Sequence, residues 1–313
     1  MRELLNKDNT YCLRGIAMLM IIISHTFNGY PIDNETCYYP TWMNWLHMEL
    51  WGGMGVAIFL FISGYGLFHS LSRKESINRQ YIVAKVERLL VPFVIYWIVE
   101  IIVLFLFDLQ ELTPHIFYEI ATISIHPDIE NWFFKVIVVI YIVMLILFRC
   151  RISNGTRISV VFLLSVVYLF AMKELGVGQW WWNNILCFPL GAFVAHKRDW
   201  FTGIPSYLIT LFTGGVIIAL VCIHINTIVL HLNFVVFCIY AVRIVNIENK
   251  VLGYIGFNSF IFYFIECPVM DEVMMFSYSC FPLYSFLSVV GTFAISYLCI
   301  NIENRMKHRI MEH

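Results

Sequence analysis

The chain is 313 residues long, 60% hydrophobic and only 13% charged, with a mean hydropathy of +0.77. A soluble domain of this length needs far more polar surface to cover one core, so that class is excluded. The net charge of −1 offers no basic footprint, which speaks against nucleic acid as a partner.

The apolar residues fall in blocks long enough to cross a bilayer, which takes roughly 20 residues per helix. In chain order they lie near 11–30, 51–71, 89–107, 132–148, 158–172, 180–195, 205–224, 227–245, 251–270 and 281–300, the fifth and sixth being short. Period-2 alternation is absent, so the blocks predict helices and not barrel strands. The expected fold class is all-α, a polytopic membrane protein with about ten transmembrane helices forming one domain over 1–313. The first block continues past His25 without a small-residue cleavage site, so no cleavable signal is expected. All but three of the 20 Lys and Arg (Arg14, Lys135 and Lys173 are the exceptions) fall at the N-terminus or in alternate connecting segments. The loops 31–50 and 108–131 hold acids and aromatics but no Lys or Arg. Cytoplasmic segments gather positive charge, so both termini are expected inside and those two loops outside. Their acids and aromatics suit a carbohydrate, but on composition alone an interfacial aromatic belt with solvated acids is the better reading.

Ionisable groups inside a bilayer are costly and raise a functional question. The first helix reads Arg14-Gly-Ile-Ala-Met-Leu-Met-Ile-Ile-Ile-Ser-His25. Eleven helical steps leave the two side chains about 20° apart and about 16 Å apart along the axis. Arg14 is thus expected near the cytoplasmic surface and His25 deeper. A neutral imidazole can take a proton from a sugar hydroxyl, and a guanidinium offers a fork of donors to a phosphate or carboxylate. The plainer alternative is an inner-edge arginine and a histidine bonded between helices. In the second helix Gly55, Ser63, Gly64 and Gly66 suit close helix packing or room for a linear donor arm. Lys135 is placed to snorkel. Glu266 follows Ser259 and Tyr263 at helical spacing, where a carboxyl is expected to be protonated or paired. The nine cysteines form no CxxC pair, so inert buried thiols are expected, a Cys37–Cys280 disulfide in the outer loops remaining open.

These residues carry a resemblance. The sequence resembles the acyltransferase 3 family of bacterial membrane acyltransferases, whose first helix has Arg or Lys, ten residues, then His, as Arg14 and His25 have. The stretch Gly55, Phe59, Ser63, Gly64, Tyr65 is similar to the family's second helix. The run Arg88-Leu-Leu-Val-Pro92 is similar to its basic segment leading into Pro. Trp132, Phe133 and Tyr141, then Leu252 through Tyr263, resemble its later motifs. The resemblance implies ten helices and transfer of an acyl group, usually acetyl from acetyl-CoA, to a hydroxyl of an envelope polysaccharide or lipid-linked sugar. No bound cofactor or metal is implied. It makes His25 the expected general base or transient acyl carrier, with Arg14 beside it. Arg14, Ser63 and Arg88 are expected on the donor side, and Glu266, Tyr263 and Trp132 on the acceptor. One departure stands out: relatives often have His after the late Tyr, where this chain has Glu266. Larger relatives carry an esterase-like domain, so here the membrane domain is expected to complete the transfer. A glycan or lipid transporter or flippase is the competing expectation, but the internal repeats it predicts are not evident.

Overall fold

The computed structural model describes residues 4–28, 48–74, 79–107, 132–222, 227–277 and 280–311, and all regular structure among them is helical. The helices are α1 (Lys7–Asn28), α2 (Met48–Ser72), α3 (Arg79–Phe107), α4 (Trp132–Arg149), α5 (Asn154–Glu174), α6 (Cys187–His196), α7 (Arg198–Gly203), α8 (Ser206–Cys222), α9 (Thr227–Val245), α10 (Lys250–Phe257), α11 (Ser259–Ser277) and α12 (Phe281–Met311), with a 3₁₀ turn at Gln179–Trp181. The loops 31–47 and 108–131, with Cys37, lie outside the described residues.

Among the described residues, six helices are long and apolar enough to cross a membrane: α1, α2, α4, α5, α9 and α12. The chain is therefore a multi-pass membrane protein. The short block at 158–172 grows into the 21-residue α5, because its polar start continues the helix back to a cap: Ser153 Oγ accepts from Thr156 N–H at 3.0 Å. The block at 180–195 holds only the 10-residue α6. The block at 251–270 is broken at Asn258 into α10 and α11. Hydropathy averages over such a break, because a turn that keeps apolar neighbours leaves the mean unchanged. Large apolar side chains such as Val139, Ile146, Leu163 and Leu211 face outward, as they do when the surroundings are hydrocarbon.

The helices form two compact units. The first comprises Met1–Ile21, Gly53–Arg79 and Trp132–Phe257. Its helices approach closely at glycine, since a missing side chain lets one backbone reach another. A Cβ on Gly64 would lie 2.1 Å from the Phe188 carbonyl oxygen, and one on Gly191 would lie 2.1 Å from that of Phe61, so α2 and α6 meet backbone to backbone. A Cβ on Gly15 would stand 2.1 Å from the Leu252 oxygen and one on Gly256 1.9 Å from the Tyr11 oxygen, which seats α1 on α10. Gly55 packs similarly on Ala17, whereas Gly66, expected as packing, has open space around it. Arg157 ties α4 to α5: it donates to the Leu147 and Cys150 carbonyls at 3.1 and 2.9 Å and lies 4.5 Å over the Phe148 ring.

The second unit comprises Ile22–Gly52, Gln80–Asn131 and Asn258–His313. In it α11 and α12 pack as a hairpin, with Phe262 edge-on to Phe293 at 5.2 Å. The end of α1 joins them through Phe27 against Phe281 and Thr26 Oγ1 near Met270 Sδ at 4.0 Å. Phe93 of α3 lies 5.8 Å from Phe264.

Candidate active site

In the second unit His25 Nδ1 lies 3.0 Å from Glu266 Oε1, 241 residues away in sequence. α1 runs unbroken from Lys7 to Asn28 and presents the imidazole 40% exposed, while the carboxyl on α11 is wholly buried. The separation is that of a good hydrogen bond, and with an ionised carboxylate it is a charge-assisted one. A carboxylate accepting at Nδ1 fixes the tautomer, puts the proton on Nδ1 and makes Nε2 the basic nitrogen. Glu266 Oε2 is buried and meets no hydrogen-bond partner among the described residues. An unmade bond of that kind is costly, so the carboxyl's place is held by its bond to His25.

Cys267, the next residue, brings its Sγ to 3.8 Å from the same Nδ1. Thiol and carboxylate address one ring nitrogen. A relay that bridges them through both nitrogens, as in a Cys-His-acid triad, is therefore not what is built. The sequence reading placed Cys267 among inert buried thiols, but it is half-buried and touches the imidazole. Its adjacency to Glu266 was the only local signal. Every described cysteine is a free thiol, Cys280 included. The donor atoms of His25, Glu266 and Cys267 lie within 4.8 Å of one another, a nitrogen, oxygen and sulfur set that could hold a zinc-like ion. The 3.0 Å contact is accounted for by a hydrogen bond alone.

Of the other sequence-predicted residues, Tyr263 is half-buried on α11, three residues before Glu266 and so on a neighbouring face. Arg88 lies on α3, its side chain outside the described residues. Arg14, Ser63 and Trp132 belong to the first unit. Arg14 is half-buried on α1, and Ser63 is buried beside the α2–α6 contact. Trp132 packs 5.8 Å from Trp181, in an apolar cluster with Val136, Leu169 and Ile185. The structure thus joins His25 to Glu266 and adds Cys267.

Six helices among the described residues that are long and apolar enough to cross a membrane, and a histidine beside a buried carboxyl, define a multi-pass membrane protein with an imidazole–carboxyl pair in it. The model of the acyltransferase 3 family, described as an acyltransferase domain, matches residues 11–301. The chain belongs to that family and is an acyltransferase. No curated protein and no solved structure matches it.

Proposed function

We propose that the protein is an O-acetyltransferase of the bacterial cytoplasmic membrane, moving acetyl from cytoplasmic acetyl-CoA to a hydroxyl of an envelope polysaccharide or lipid-linked sugar. The observation that carries this reading is the His25–Glu266 contact in a chain matched to the family over 11–301. His25 Nε2 takes the proton of the acceptor hydroxyl as its oxygen attacks the thioester carbonyl. The C–S bond breaks, and the coenzyme A thiolate leaves and recovers the proton from the imidazolium. Glu266 positions the ring and balances its charge while it is protonated. Arg14, with Ser63 and Arg88, serves the donor, and Tyr263 and Trp132 serve the acceptor. The test is acetyl-CoA turnover by the purified protein, read as thiol release with and without a sugar acceptor. Absence of any turnover by the wild type, in hydrolysis or transfer, sinks the reading.

Arg14→Ala is expected to weaken acetyl-CoA binding, and Arg14→Lys to recover only part of it, because an ammonium lacks the guanidinium's fork. Titration of donor affinity checks this, and unchanged affinity in Arg14→Ala removes Arg14 from the donor site.

The orientation follows the basic bias, with both termini inside. Cysteines introduced at Asn34 and Ser76, each in a background without the native thiols, are expected to label with an impermeant reagent from outside and inside respectively. Labelling of both from outside overturns the topology.

A further inference from the structure

The first unit contains a buried polar cluster that the acyl-transfer chemistry leaves unused. Asn183, Asn184 and His231 are 7%, 2% and 2% exposed. Asn183 Oδ1, Asn184 Oδ1 and His231 Nδ1 are buried with no hydrogen-bond partner among the described residues. The His231 imidazole and the Asn184 amide meet at one place, and Asn183 precedes Asn184 in the chain. The His231 ring is held against the Asn183 backbone. A Cβ on Gly53 would stand 2.8 Å from His231 Nε2 and 3.9 Å from Asn184 Nδ2, so the imidazole and the amide lie together over bare α2 backbone.

Buried polar atoms are nearly always satisfied, and leaving one unpaired costs about as much as a lost hydrogen bond. Such atoms at Asn183, Asn184 and His231, meeting no partner among the described residues, leave hydrogen-bonding capacity open to a bound molecule. The chemistry of the partner follows from the donors. Two amides and an imidazole can each donate and accept, which matches a hydroxyl, itself both donor and acceptor. A phosphate or carboxylate is met better by a guanidinium fork, and none of the three supplies one.

The surroundings agree. Asn183 and Asn184 directly follow Trp180-Trp181-Trp182, and Trp132, Trp182 and Ile228 pack on the apolar cluster around Trp181 and Ile185. Apolar sugar faces lie against aromatic rings while their hydroxyls reach amides. Each contributing position also lies toward the end of its helix away from basic residues: Gly53 on α2 opposite Arg73, Asn184 just before α6 opposite Lys197, and His231 on α9 opposite Arg243. By the positive-inside rule that end faces outward, the side from which an envelope glycan arrives.

We infer that Asn184 and His231, set over Gly53, form with the adjoining Asn183 a binding subsite for the hydroxyls of a neutral sugar. As the acceptor subsite it rests on the acyl-transfer reading, whereas sugar binding there is measured without it.

The test uses the full chain in detergent with three probes: methyl β-glucoside, methyl α-rhamnoside and N-acetylglucosamine. A ligand that binds only the folded state raises the thermal midpoint, and the shift grows with the logarithm of ligand concentration over Kd. At least one probe is expected to raise the midpoint of the wild type, and Asn184→Leu and His231→Leu are expected to weaken that probe about tenfold each. Leu211→Ala, at an outward-facing position, is the control expected to keep the shift. If the cluster is packing alone, replacing unpaired polar groups by apolar ones of similar size stabilises the protein and leaves the probe's effect intact, which overturns the inference. Should the leucine variants fail to fold, the wild type decides: no shift with any of the three probes overturns it equally. Loss of acetyl-CoA turnover with the sugar shift retained would sink the acyl-transfer reading and leave the subsite standing.

Discussion

His25→Ala is expected to lower acyl transfer about 10²–10⁴-fold, the range a positioned general base contributes. The side chain is 40% exposed, so its removal costs little packing and membrane insertion should survive. Glu266 is the control on the mechanism. In the proposed mechanism its buried carboxyl acts through the imidazole, from which it lies 3.0 Å at Nδ1. Glu266→Gln keeps the shape but replaces a charge-assisted acceptor with a neutral amide, and an intermediate loss is expected, borne by kcat more than by either KM. With Glu266 acting through His25, as proposed, the double variant is expected to be no slower than His25→Ala alone, as happens when two residues work as a unit. Initial rates of thiol release for the four proteins check all of this. Near-normal transfer by His25→Ala removes the base from the centre of the mechanism. Additive losses in the double variant would assign Glu266 a separate task, such as holding the acceptor hydroxyl.

The largest effect on the fold is expected from Gly256→Ala. The added Cβ would lie 1.9 Å from the Tyr11 carbonyl oxygen and 2.7 Å from Gly15 N, and neither atom is on a side chain that can rotate away. Overpacking of this kind costs about 1–3 kcal/mol and sometimes more. Here two helices must part, and Gly15 meets Leu252 from the other side. The expected outcome is a thermal midpoint several degrees lower in detergent, or loss of the folded protein. Gly253→Ala, three residues earlier on α10, has nothing within 4 Å. It is expected to be neutral or mildly stabilising, since Ala is favoured over Gly in a helix by about 1 kcal/mol. Equal behaviour of the two variants would mean that the α1–α10 contact does not govern stability.

The helices themselves were legible in the sequence because hydropathy is a local quantity. Blocks near 11–30, 51–71, 132–148, 227–245 and 281–300 became crossing helices because each holds a bilayer's length of apolar residues with few charges. The family was legible for the same kind of reason: its motifs are short runs, such as Arg14 through His25 and Gly55 through Tyr65, whose spacing survives without knowledge of the fold. Whether a helix is interrupted inside an apolar block was not legible, as Asn258 shows. A turn there changes backbone direction but not mean hydropathy. The partner of His25 was also hidden. Glu266 could be singled out as a costly group inside an apolar block, yet nothing local to either residue says that 241 positions apart they meet at 3.0 Å. That pairing depends on how α1 sits against α11, set by side-chain packing such as Phe27 on Phe281 and by the α11–α12 hairpin. Asn183, Asn184 and His231 read singly as ordinary polar residues near helix ends. Only tertiary structure, by setting α9 and the turn before α6 over a glycine of α2, brings His231 and Asn184 together, with polar atoms that meet no partner among the described residues.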